Sequence, residues 1–150
     1  MKKISILLLV LLSVVSCKTK MNQYIRDENK VNKRDGKWKE EYSSDDGVLT
    51  AIGKYDKGEK KGVWKTYSDT KDFKHKLYQK DKIKKGLTKT RRYFPNGKIM
   101  EVGQSKLDIS KDQRHWYYIG DWKYYNDKGE LLYIKKYHDG KKTDGISYKK

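Results

Sequence analysis

Asp35–Lys61 reads DGKWKEEYSSDDGVLTAIGKYDKGEKK, and Gly120–Gly145 reads GDWKYYNDKGELLYIKKYHDGKKTDG. Measured from Gly47 and Gly129, the same residue types fall at the same offsets. Leu49 answers Leu131, Ile52 answers Ile134, Tyr55 answers Tyr137, and Gly58 answers Gly140. Internal repetition of this kind governs the fold argument before any single motif does. Each unit opens on a strand holding tryptophan and tyrosine, residues that suit a pleated, half-buried surface. A glycine turn follows, at Asp46-Gly47, Asn96-Gly97 or Lys128-Gly129, then a second strand carrying the aliphatic pair and a closing tyrosine. The reading is an all-β chain of successive antiparallel hairpins.

The middle units depart from the pattern. Gly62–Gly86 keeps Trp64, Tyr67 and Tyr78 but has no turn glycine, and in Gly86–Ser105 the tryptophan position holds Thr88. The leading glycines Gly36, Gly62, Gly86 and Gly120 are 26, 24 and 34 residues apart, so the third interval implies an irregular insertion at about 107–119. A lone hairpin is marginal in water, so neighbours must bury what one unit cannot. The candidate core is aromatic: Trp38, Tyr42, Tyr55, Trp64, Tyr67, Trp122, Tyr125 and Tyr137. Beyond residue 16 only 41 of 134 residues are apolar and 19 of those are aromatic, which leaves few aliphatics to build a core.

The arrangement G-x-W-x₂₋₃-Y, a (D/N/K)-G turn and Y-x-x-G-x-K resembles the MORN repeat, and more closely its bacterial variant in YwqK-type antitoxins, over Asp35 to Gly145. The resemblance implies a single-layer sheet of hairpins and a role as a scaffold or a protein- or lipid-binding module. The family label adds an antitoxin or immunity role as one expectation.

The N-terminus supplies an address. MKKISILLLVLLSVVSCKTK has two lysines, then a twelve-residue stretch, Ile4 to Val15, that is apolar but for Ser5 and Ser13. It is too short to span a bilayer, which needs about 20 residues, but it fits a secretory signal. Val14-Val15-Ser16-Cys17 resembles the lipobox of bacterial lipoproteins, which implies cleavage after residue 16 and lipidation, palmitate included, at Cys17. Cys17 is the only cysteine, so it has no disulfide partner. The expected organisation is signal 1–16, a lipidated cysteine and flexible tether 17–34, and a repeat domain 35–150. Lys18 in place of aspartate points, by the enterobacterial sorting rule, to the outer rather than the inner membrane.

Without residues 1–16 the chain keeps 35 basic and 20 acidic residues, a net charge of +15, and only five of the basic residues are arginine. Lysine is a hydrated point charge, whereas specific phosphate sites favour arginine's fork. Two readings therefore stand: diffuse attraction to an anionic surface, or a solvated face. Nucleic acid is not an expected partner for an exported chain. No G-x-S-x-G elbow, paired catalytic carboxylates or twelve-residue calcium loop is present, and Glu40 and Glu41, adjacent in a strand, point to opposite faces. A non-enzyme with no cofactor and no metal is expected. The binding surface is placed on the insertion, at Arg114, His115, Trp116, Tyr117 and Tyr118. Its expected partner is an envelope protein. The alternative is an anionic envelope ligand (lipid headgroup, lipopolysaccharide or wall glycan) met by a basic aromatic face.

Overall fold

A computed structural model describes residues 20–44, 46–110 and 113–148. Cys17 and the signal segment lie outside the described residues. Ten strands follow one another: β1 (Gln23–Arg26), β2 (Asn32–Ser44), β3 (Gly47–Asp56), β4 (Glu59–Thr70), β5 (Lys76–Lys84), β6 (Leu87–Tyr93), β7 (Ile99–Ile109), β8 (Arg114–Tyr125), β9 (Leu131–His138) and β10 (Lys141–Ser147). They form one open sheet in chain order, each antiparallel to the next. The architecture is the single-layer hairpin sheet expected from the repeats.

Three boundaries differ from the sequence reading. The stretch read as a tether carries structure from Gln23 on, because Gln23–Arg26 pairs with Asn32–Asp35. Most of the stretch read as an irregular insertion extends the β7–β8 hairpin, where Leu107 pairs with Trp116 and Ile109 with Arg114; residues 111 and 112 lie outside the described residues. Gly86 is not a leading glycine. With Lys85 it forms a two-residue turn of positive φ, like Lys57-Gly58 and Asp139-Gly140. That turn chemistry suits tight hairpins, and it explains why Thr88 stands where a tryptophan was sought.

The G-x-W motif itself is a β-bulge. Between the pairs Ile52–Lys65 and Lys54–Lys61, the single residue Gly53 faces Gly62, Val63 and Trp64. Between Val102–Lys123 and Gln104–Ile119, Gly103 faces Gly120, Asp121 and Trp122 in the same way. Gly62 and Gly120 take left-handed φ values of 71° and 63°, which bend the strand and lay the tryptophan flat on its neighbour. A Cβ on Gly53 would lie 2.1 Å from the Trp64 ring, and one on Gly103 2.1 Å from the Trp122 ring. The indole N–H groups donate to the next carbonyl along, Trp64 to Lys54 at 3.2 Å and Trp122 to Gln104 at 2.9 Å. Ring burial and donor satisfaction come from one geometry.

Strand alternation puts these rings on one face. Tyr24, Trp38, Tyr55 and Trp64 run edge-to-face across β1 to β4 with centroids 5.0, 5.6 and 5.2 Å apart. Trp122, Tyr118 and Tyr137 form a second cluster at 4.3 and 5.1 Å, and Tyr124 stacks on Tyr133 at 4.5 Å. Between the clusters the rungs are polar. Asp81 accepts from Gln79 and Thr90 at 2.7 Å each, and Arg92 bridges Gln79 and Glu101. Of the expected core aromatics, Trp38, Tyr55, Trp64 and Trp122 are buried and Tyr67, Tyr125 and Tyr137 are half-buried. Tyr42 is corrected: it is 51% exposed, near the open end of β2.

Gly103→Ala is expected to cost about 3 kcal/mol, the upper end of the range for overpacking. The thermal midpoint should fall by roughly 10 °C. In a Trp122→Leu background the same change should cost less than about 1 kcal/mol, because the ring no longer fills the Cβ position. Denaturant melts of the four proteins measure this coupling, and equal costs in both backgrounds would refute it.

Candidate functional site

The five residues proposed from sequence as a binding surface are split by alternation along β8. Arg114, Trp116 and Tyr118 share the face of Trp122, and His115 and Tyr117 face the other way. Tyr118 packs on Trp122 and is structural. Tyr117 is buried, and its hydroxyl donates to Asp108 at 2.6 Å. His115 stacks on Tyr117 and is exposed. Trp116 is 53% exposed and touches Tyr118 edge-on at 4.9 Å, whereas the other three tryptophans are at most 6% exposed.

Arg114 makes the contact that shapes the site. Its guanidinium donates to both carboxylate oxygens of Glu59, at 2.8 and 2.9 Å. Glu59 opens β4, so β5, β6 and β7 lie between the partners. In a flat sheet, four strand spacings amount to about 19 Å. Only a sheet that coils on itself brings the pair together. The coil leaves an open trough of about 870 Å³ on the tryptophan face, lined by Tyr55, Ile83, Thr88, Ile109 and Trp116 with the Arg114–Glu59 pair at its rim.

One wall is held by a network that the sequence reading missed. Glu40 is largely buried and accepts from four groups: Arg34 Nη1 at 2.6 Å, Tyr55 at 2.8 Å, Tyr42 at 2.7 Å and Lys60 at 2.6 Å. Arg34 and Lys60 also sit over the Trp38 and Trp64 rings, at 4.9 and 4.1 Å. Burial by itself would raise the Glu40 pKa, but the hydrogen bonds from Lys60, Tyr42 and Tyr55 outweigh it and hold the carboxyl below its ordinary range. Desolvation, then the bond to Glu40, pushes the Tyr42 hydroxyl up to about 12. Glu40 and Glu41 do face opposite ways, with side-chain exposures of 10% and 56%.

Cations lie on both faces: Lys57, Lys60, Lys61 and Lys85 line the trough with Tyr55 and Trp116. Besides Arg34 and Lys60, Lys135 lies over aromatic rings on the tryptophan face, at 5.0 Å from Tyr124. Lys65, Lys80, Arg91 and Lys123 lie on the other face. The histidines are dispersed: His75 stacks on Tyr67 at 4.2 Å, and His138 sits 3.4 Å from Asp139 in an exposed turn. Among the described residues no group of three or more His, Cys, Asp or Glu side chains could hold a metal ion. The trough offers shape, one exposed indole and a fixed guanidinium, a set suited to binding.

Two determinants had signals in the sequence. Gly53 and Gly103 stand inside strand patterns, where a glycine marks a bulge or a close approach. Glu59 and Arg114 are 55 residues apart and had none. No family model, curated protein or solved structure matches this chain.

Because the folded pKa of Glu40 is depressed, its stabilising effect is complete above the ordinary value of 4.5 and is lost as pH falls through the lower folded value. Urea midpoints measured between pH 7 and about 3 should fall more steeply for the wild type than for Glu40→Gln. Parallel curves would show that the network does not carry this acid sensitivity.

Proposed function

We propose that this chain is a lipid-anchored, non-catalytic interaction module of the bacterial cell envelope. Its trough grips a segment of an acidic partner protein, with Trp116 as the anchor. The reading is supported chiefly by Trp116, a large ring left half in solvent at the rim of a hollow while its three counterparts are spent on packing. Exposed aromatics beside fixed arginines are the residue types that dominate binding energy at protein interfaces. The Arg114–Glu59 pair holds the rim in place without consuming the indole. The net charge of +15 beyond residue 16 favours an acidic partner. The address comes from the lipobox-like segment ending at Cys17, and two or more acyl chains there would anchor the chain stably. The outer membrane is the favoured location on the sorting rule for Lys18. A module that stacks hairpins and presents one face also accords with the MORN-like repeats.

The second reading, an anionic envelope ligand, has its own support in the unpaired cations on the face opposite the trough. An antitoxin-like role has none beyond the family label.

Cross-linking of the tagged chain in its own envelope, followed by binding of the purified partner, tests the reading. Trp116→Ala should weaken that binding about tenfold or more with the fold intact. The wild-type affinity should survive moderate salt. Loss of binding to salt alone, with Trp116→Ala unaffected, would refute the trough. Separately, Cys17→Ser should abolish labelling by a palmitate analogue and release the protein from the membrane fraction. Retention there would refute the anchor.

A further inference from the structure

The sheet face opposite the trough carries a run of cations in register. Lys65 pairs with Lys80, Lys80 with Arg91, Arg91 with Val102 and Val102 with Lys123, so one cross-strand row holds four cations over five strands. One rung along, Lys82 pairs with Lys89 and Lys89 with Gln104. Lys80, Lys82, Lys89 and Arg91 therefore form a block about 5 Å by 7 Å at the backbone. With Lys123 they surround a hollow of about 460 Å³ floored by Val102 and Gly103, with Gln104 and a single carboxylate, Asp121, at its edge. None of these five cations makes an ion pair or a side-chain hydrogen bond among the described residues.

Alternation produces this imbalance. Asp81 stands between Lys80 and Lys82 but faces the tryptophans, where Gln79 and Thr90 satisfy it. Glu101 stands beside Val102 and faces the same way, bound by Arg92. Asp81 of β5 and Glu101 of β7 are thus spent on the packed face, while Asp108, farther along β7 on the cationic face, is bound by Lys106 and Tyr117. Like charges placed directly opposite one another oppose strand pairing, so Lys80–Arg91 and Lys82–Lys89 do not serve the fold.

We propose that this hollow is a binding site for a small soluble ligand carrying several phosphate groups. Five converging cations with one acid match a compact, multiply charged anion, and lysines meet phosphate as mobile point charges. The lining holds no aromatic ring on which a nucleobase could stack. Gln104 supplies an uncharged donor and acceptor for a hydroxyl or a phosphoryl oxygen. The site lies across the sheet from the trough and does not rest on the partner-protein reading.

Titration calorimetry of the full chain in non-ionic detergent, with inorganic tripolyphosphate as the probe, tests the site. The wild type should bind tripolyphosphate, and orthophosphate at least tenfold more weakly, as fewer charge-assisted bonds form. The double variant Lys82→Gln/Lys89→Gln should lose about tenfold or more in affinity. Lys141→Gln/Lys142→Gln, which removes the same charge from β10, should stay within about twofold. Relief of like-charge pairing should raise the melting midpoint of the first variant by about 1–3 °C, which shows that its fold persists. Equal losses in both variants would mean diffuse attraction and overturn the proposal. So would binding to phosphatidylglycerol vesicles that tripolyphosphate does not displace, which would identify a membrane surface instead.

Discussion

A single-layer sheet has no second layer to bury its side chains, and the tryptophan-over-glycine contact answers that constraint. At Gly53 and Gly103 the missing side chain leaves a slot in the backbone, and the indoles of Trp64 and Trp122 lie in it. The bulges formed by Gly62-Val63-Trp64 and Gly120-Asp121-Trp122 supply the extra backbone that turns each ring flat. Each indole N–H then finds a carbonyl one residue beyond the slot, so the buried ring leaves no donor unpaired. The sheet supplies its own packing partner. The tyrosines extend this packing sideways, edge on face from Tyr24 to Trp64 and with tilted rings around Tyr118.

Once one face is committed to rings, alternation along the strands distributes the charge. Acids on the packed face are costly unless paired, and there Glu40, Asp81 and Glu101 each collect donors from neighbouring strands. The opposite face receives a block of cations with only Asp121 at its edge. The two faces are thereby chemically distinct: one offers a trough with an exposed indole, the other a cationic hollow. The sheet's coil, closed across three strands by Arg114 and Glu59, gives the first face its concavity.

The hairpins were legible because they are local. The matched offsets from Gly47 and Gly129 and the turn at Asn96-Gly97 reflect contacts between residues close in the chain. Errors arose where a local pattern had two structural meanings. Gly86 precedes an apolar residue as Gly62 does, yet the positive φ of Lys85 before it makes the pair a turn. Residues 107–109 and 114–119 fall where the repeat length breaks, but they continue β7 and β8 in register. The stretch 18–34 carries few apolar residues, but within it Gln23–Arg26 pairs with β2 and Tyr24 packs on Trp38. Tyr42 has the spacing of a core residue and sits where the sheet no longer covers it.

What the sequence determined by itself was the class of fold, the direction of the hairpins and the aromatic character of the packing, since each depends on periods of two and on turn chemistry. Tertiary structure alone decided which glycines receive a ring, which charges are spent and which remain, and that Trp116, rather than Tyr117 or Tyr118, stays available. Those outcomes depend on register between strands and on the coil of the whole sheet. Register assigns each side chain to a face, and the coil brings together residues that the chain keeps far apart.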